Sequence, residues 1–333
     1  RRNRKKNIWQ IHRGTRFINP IIEIFLKSIL SVFFLYTGSN FLISGSINLS
    51  KKFQIPDLII GFTIIAIATS LPELFVLINS VSNDQYGPDL AYGTILGSNI
   101  ANISLILGGC ILLSKKNSFA NNLTNYKNQI HLIFLSTIIF AYLSLEGFGL
   151  AELSFSLLVV LFILSFTNIE LNNKPDKTKV KSFLIKDLFV IIFSIASMWI
   201  GSELLVDSGI ELIEKFNATS TQIGSVFLAL STSAPEIFTS LISILKFNKS
   251  DFVVGNVIGS NILNIGIFSI IGITYNLSYF DINVANVLLL VACEAYILIL
   301  LYSLYKEKNI SSKYGVILIL FYIIFIYKLW ALY

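Results

Sequence analysis

Apolar residues in this chain fall into long runs, and polar residues are confined mainly to the short stretches between them. Ten runs can be marked, near 18–44, 56–79, 92–113, 129–146, 150–169, 186–207, 221–245, 252–274, 284–305 and 314–333. Each is about the roughly 20 apolar residues that a helix needs to cross the hydrocarbon core of a bilayer. A transmembrane barrel would instead alternate in polarity over strands of about 10 residues. The pattern therefore predicts an all-α integral membrane protein with ten transmembrane helices. The boundary between the runs at 129–146 and 150–169 is the least defined.

Composition narrows the class further. Of 333 residues, 54% are hydrophobic and 13% charged, and the mean hydropathy is +0.74, values that a domain with a wet surface does not sustain. The basic residues crowd the odd-numbered loops: Lys51 and Lys52; Lys115, Lys116 and Lys127; Lys174, Lys177, Lys179, Lys181 and Lys186; Lys246 and Lys249; Lys306, Lys308 and Lys313. Among the even-numbered loops only Lys215 is found. The positive-inside rule then places the odd loops in the cytoplasm and both termini outside. The tail at 1–17, "RRNRKKNIWQIHRGTR" and the residue after it, pulls the other way. It reads as an anchor on anionic lipid or a topology signal rather than a nucleic-acid contact. Cys110 and Cys293 fall inside separate helices, and His12 and His131 have no partners at metal-ligand spacing, so neither a disulfide framework nor a zinc site is expected. No cofactor and no obligate protein partner is implied.

The chain repeats itself. "GSNFLISGSI" from Gly38 resembles "GSELLVDSGI" from Gly201, and "GFTIIAIATSLPELF" from Gly61 matches "GSVFLALSTSAPEIF" from Gly224. "GTILGSNIANISLILG" from Gly93 pairs with "GNVIGSNILNIGIFSIIG" from Gly255. Two five-helix halves follow, 18–171 and 186–333, joined by a polar linker at 172–185. Because five is odd, the second half enters the membrane in the opposite orientation. Such inverted repeats belong to secondary transporters, which alternate access by exchanging the conformations of their halves.

Within the repeats, "ATSLPE" (68–73) and "STSAPE" (231–236) set a carboxylate in apolar surroundings. A charge there costs about 2.5–3.5 kcal/mol even on the lenient insertion scale, so Glu73 and Glu236 should face protein or water and have partners. Ala66, Thr69, Ser70 and Glu73 share one helical face, and Ala229, Thr232, Ser233 and Glu236 repeat it. Pro72 should deprive the Ala68 carbonyl of its helical partner, and Pro235 the Ser231 carbonyl, kinking each helix. In "GSNIAN" and "GSNILN", Ser98 and Asn102, and Ser260 and Asn264, lie four apart on one face. The glycines at 93, 97, 255 and 259 let helices approach, and Asn99 and Asn261 could be ligands or interhelical glue, glue being the plainer reading. Carboxylates, hydroxyls and carbonyls without sulfur or imidazole suit a hard cation, and calcium takes 6–8 oxygens.

At these residues the chain resembles the cation/calcium exchanger superfamily, specifically its sodium/calcium exchangers. The resemblance covers nearly the whole membrane region and implies an exchanger of Na⁺ for Ca²⁺, with both transported ions bound at mid-membrane. Its ligand set carries over as the side chains of Thr69, Ser70, Glu73, Ser98, Asn102, Thr232, Ser233, Glu236, Ser260 and Asn264, with backbone carbonyls at Ala66 and Ala229. It also implies that the first and sixth helices, with Glu23, Glu203 and Asp207, slide across the cage. Two departures stand out: Ala68 and Ser231 occupy places where the family often has Gly, and Asn264 stands where many members carry Asp. The cage then has two carboxylates, which fits a potassium-independent exchanger.

Other readings stay open at this point. A cation/proton antiporter could use Glu294 in the ninth helix, although a packed or snorkelling carboxylate is the plainer account. A cation channel could line its pore with the same oxygens. A membrane enzyme could use the two glutamates as acid and base, but no nucleophile elbow or phosphate loop supports it. The expectation is a multi-pass transporter, not an enzyme, in a bacterial inner (plasma) membrane.

Overall fold

A computed structural model of the chain describes residues 20–82, 87–115, 119, 127–146, 184–213, 226, 229–274, 284–307 and 312–331; among these no strand occurs. The basic tail, the apolar run at 150–169 and nearly all of the linker lie outside the described residues. The first helix, α1, spans Pro20–Phe53. A broken helix follows: α2 runs as Asp57–Ile60, a π-helical turn Gly61–Ile65 and Ala66–Thr69, and α3 spans Leu71–Ser82. Next, α4 runs as Gly87–Ile100, a π-helical turn Ala101–Leu107 and Gly108–Leu113, and α5 spans Lys127–Glu146. In the second half, α6 is Leu184–Ile213, α7 Ala229–Thr232, α8 Ala234–Leu245, α9 Ser250–Thr274, α10 Val284–Glu307 and α11 Ser312–Ala331.

Helix α1 outruns the apolar stretch that predicted it. Lys51 and Lys52, expected in a loop, sit in its last turn, where cations suit the negative end of the helix dipole.

Small residues let α1 and α6 meet along their lengths. A Cβ on Gly38 would lie 2.7 Å from the Met198 side chain, and one on Gly201 would lie 2.9 Å from that of Leu35. Ser31 donates to the Gly201 carbonyl at 2.7 Å and Ser197 to the Phe34 carbonyl at 2.8 Å. Partners count down in α6 as they count up in α1, so the two helices are antiparallel. Each opens its own half of the repeat, so their opposed directions are those of an inverted pair. Away from this seam both helices expose large apolar side chains, among them Phe25, Phe33, Phe189 and Phe193, as a lipid-facing surface does.

The remaining helices build the interior. Gly255 and Gly259 press α9 onto α2: a Cβ on Gly255 would lie 2.6 Å from the Leu58 carbonyl, and one on Gly259 would lie 2.6 Å from that of Phe62. That contact does what the small residues were expected to do. At one end of the bundle, Lys249 bridges Asp57 at 2.5 Å, and Ser50 also bonds Asp57. Lys246 donates to Asn40 at 2.6 Å. The turn after α1 and the turn after α8 therefore share one end of the molecule, as odd-numbered loops should.

Candidate functional site

The two signature segments break at the same place. Ser70 has φ −84° and ψ 4°, and Ser233 φ −78° and ψ 4°, which is the sparsely populated bridge region. A continuous kinked helix was expected; instead α2 ends at Thr69 and α7 at Thr232, and new helices start at Leu71 and Ala234. The prolines explain this, because a proline in a first turn sacrifices no hydrogen bond. Glu73 and Glu236 then lie in the first turns of α3 and α8, where the helix dipole favours negative charge.

The carbonyl consequences differ between positions. The Ser231 carbonyl, four residues before Pro235, accepts the hydroxyl of Ser202 at 3.2 Å. The Ala66 carbonyl accepts Ser70 N–H at 3.0 Å and the Thr69 hydroxyl at 3.2 Å. The Ala229 carbonyl matches it, taking Ser233 N–H at 2.9 Å and the Thr232 hydroxyl at 3.3 Å.

Both carboxylates are wholly buried, and each is held by both halves of the chain. Glu73 Oε1 accepts Ser98 at 3.2 Å from its own half and Ser233 at 3.1 Å from the other. Glu236 Oε1 accepts Ser260 at 3.3 Å from its own half and Ser70 at 3.3 Å from the other. Ser98 and Ser233 are themselves 2.6 Å apart. Oε2 of each glutamate has no hydrogen-bond partner, nor does Oδ1 of Asn102 or Asn264. Buried oxygens without a donor are costly to keep. Four such acceptors come from residues that the sequence assigned to one cage.

Amides close the arrangement. Asn99 and Asn261 exchange bonds with each other's backbone, Asn99 Nδ2 to the Asn261 carbonyl at 3.5 Å and Asn261 Nδ2 to the Asn99 carbonyl at 3.1 Å. They are glue between α4 and α9. Asn102 Nδ2 donates to Asn261 Oδ1 at 2.9 Å, and Asn264 Nδ2 to Asn99 Oδ1 at 3.1 Å and Ser98 Oγ at 3.3 Å. One contributor was missed in the sequence: the Thr69 hydroxyl donates to Asn256 Oδ1 at 2.9 Å. Asn256 lies between Gly255 and Gly259, four residues before Ser260, but the repeat does not mark it, since Thr94 stands in its place in the first half. Glu294 is buried on α10, hence packed rather than snorkelling.

Comparison with known proteins places the chain as a whole. The family model described as sodium/calcium exchanger protein matches residues 24–171 and 186–331. The chain belongs to that family. It is 30% identical over 309 residues to the uncharacterized membrane protein MJ0091 of Methanocaldococcus jannaschii, covering 90% of this chain and 96% of that one. It is 27% identical over 349 residues to the sodium/calcium exchanger MaX1 of Methanosarcina acetivorans, covering 91% and 97%. With the inner membrane protein YrbG of Escherichia coli it shares 32% identity over 248 residues, 69% of this chain and 73% of that one. A solved structure of the sodium-calcium exchanger NCX_Mj, soaked with Na⁺ and Ca²⁺, superposes with a TM-score of 0.74 at 26% identity, covering 91% of this chain and 97% of that chain. The exchanger family thus accounts for the all-helical architecture, the membrane setting and a cation/calcium exchange role.

Proposed function

We propose that this exchanger carries Na⁺ and Ca²⁺ in opposite directions across a bacterial inner membrane by alternating access, and that it is a secondary transporter rather than an enzyme. The observation that carries the reading is the pair Glu73 and Glu236, both fully buried, each with one oxygen bound by serines of both halves and one oxygen unpartnered. Two carboxylates balance the charge of one Ca²⁺, and the hydroxyl and amide oxygens around them supply further ligands of the kind calcium takes. The cage comprises Thr69, Ser70, Glu73, Ser98, Asn102, Thr232, Ser233, Glu236, Ser260 and Asn264, with the Ala66 and Ala229 carbonyls. The same oxygens shared among Na⁺ ions cannot serve Ca²⁺ at the same time. Competition for one set of ligands is then the coupling, and movement of α1 with α6 past the cage exchanges its access.

The test is ⁴⁵Ca²⁺ uptake into proteoliposomes loaded with Na⁺, set beside K⁺-loaded and acid-loaded vesicles. Uptake that requires internal Na⁺ is expected. Uptake driven by the proton gradient alone would move the chain to cation/proton antiport.

A further inference from the structure

A hydroxyl that ligates a cation does so through its lone pairs, so its proton must go to some other acceptor. Thr69 has three within reach, Asn256 Oδ1 at 2.9 Å, the Ala66 carbonyl at 3.2 Å and, farthest, the hydroxyl of Ser260 at 3.4 Å, whose lone pairs belong to the same cage. They are not equivalent. The Ala66 carbonyl already accepts Ser70 N–H at 3.0 Å, so a Thr69 proton placed there occupies its second lone pair and removes it from the cage. A proton placed on Asn256 leaves both Thr69 Oγ1 and the Ala66 carbonyl with lone pairs to offer.

Asn256 is built to take that proton. It is fully buried, and its Nδ2 donates to Ser240 Oγ at 3.2 Å on α8, which holds the amide with its oxygen toward Thr69. Ser240 lies one turn beyond Glu236 on the same helix. The bracing therefore ties the orientation of one hydroxyl to the helix that bears the carboxylate beside it. The other half is made differently: aligning "GTILGSN" with "GNVIGSN" puts Thr94 where Asn256 stands. A threonine hydroxyl both donates and accepts, whereas an amide oxygen only accepts.

We propose that Asn256 is a positioning residue that turns the Thr69 proton out of the cage, making the Glu236 end, with Thr69, Ser70, Ser260 and the Ala66 carbonyl, the better site for a monovalent cation. A Na⁺ ion beside one carboxylate draws the rest of its coordination from neutral oxygens, so their orientation decides its affinity. The inference rests on the ligand role given to Thr69 under the proposed function.

The experiment compares Asn256→Val, which removes the acceptor, with its isostere Asn256→Thr, which keeps an acceptor oxygen and adds no charge, in Na⁺-driven ⁴⁵Ca²⁺ uptake by proteoliposomes. Loss of the bond raises the half-saturating Na⁺ about tenfold in Asn256→Val and by clearly less in Asn256→Thr, with the maximal rate within about threefold of the parent. An unchanged half-saturation in Asn256→Val, or an equal loss in both variants, overturns the proposal. If Asn256→Val does not assemble, Ser240→Ala, which removes only the amide's support, is compared with Ser240→Thr, which keeps the hydroxyl. A rise of about threefold in the first alone supports the proposal, and no rise overturns it. Should the parent protein prove proton-driven, the sodium reading fails by itself, and the same variants are judged by their half-saturating Ca²⁺.

Discussion

Under the proposed function, Glu73 and Glu236 are the residues on which transport turns, because each offers an unpartnered oxygen amid hydroxyls and amides. Glu73→Gln or Glu236→Gln keeps the shape and most hydrogen bonds but removes the charge. Uptake of ⁴⁵Ca²⁺ is expected to fall about a hundredfold or more, since one charge-assisted contact is worth up to ~3 kcal/mol and each ~1.4 kcal/mol is a factor of ten. Melting in detergent should change little, and robust transport by either variant would sink the site. Asn264 supplies a second prediction. Its Nδ2 donates to Asn99 Oδ1 and Ser98 Oγ, so Asn264→Asp replaces a donor with a group that donates only when protonated. Exchange by that variant should match the parent at low pH and depart from it as pH rises, measured as the ratio of their rates across pH. A constant ratio would mean that the donor is immaterial. These residues were legible in the sequence because the same polar pattern recurs twice in apolar runs. Asn256 was not, because an asparagine between two glycines resembles the packing residues around it.

At the scale of elements, the broken helices and the pressed glycines set where the cage residues stand. Gly259 lies where a Cβ would meet the Phe62 carbonyl at 2.6 Å and the Ala66 side chain at 2.7 Å, and overpacking of this kind costs about 1–3 kcal/mol. Gly259→Ala is therefore expected to lower the detergent melting temperature and to reduce Ca²⁺ uptake together, since it displaces the turn that carries Ala66 and Thr69. Gly109 has open space around the same position, so Gly109→Ala serves as the control that should leave both readouts alone. The signature helices were legible as helices from their apolar length, but their breaks at Ser70 and Ser233 were not. Proline was read as a kink within one helix, whereas in the fold it opens a second one, and local sequence does not distinguish those outcomes.

Across the whole molecule, α1 and α6 form one antiparallel unit that touches the cage helices through few polar contacts. Thr239 on α8 donates to Ser39 on α1 at 3.1 Å, and Ser202 on α6 reaches the Ser231 carbonyl at 3.2 Å. If the unit moves past the cage during exchange, joining Ser39→Cys to Thr239→Cys by oxidation should stop Ca²⁺ uptake, and a reductant should restore it. Uptake that persists with the cross-link formed would rule out that movement. The sequence by itself determined the membrane class, and it carried the repeat and nearly all of the residues proposed for the cage, because hydropathy and spacing are local and the repeat shows each signal twice. Only the tertiary structure decided which serine serves which carboxylate. Ser233 reaches Glu73 and Ser70 reaches Glu236 across more than 150 residues of chain, and such pairing follows from how two opposed halves pack, a relation that neither half's residues encode alone.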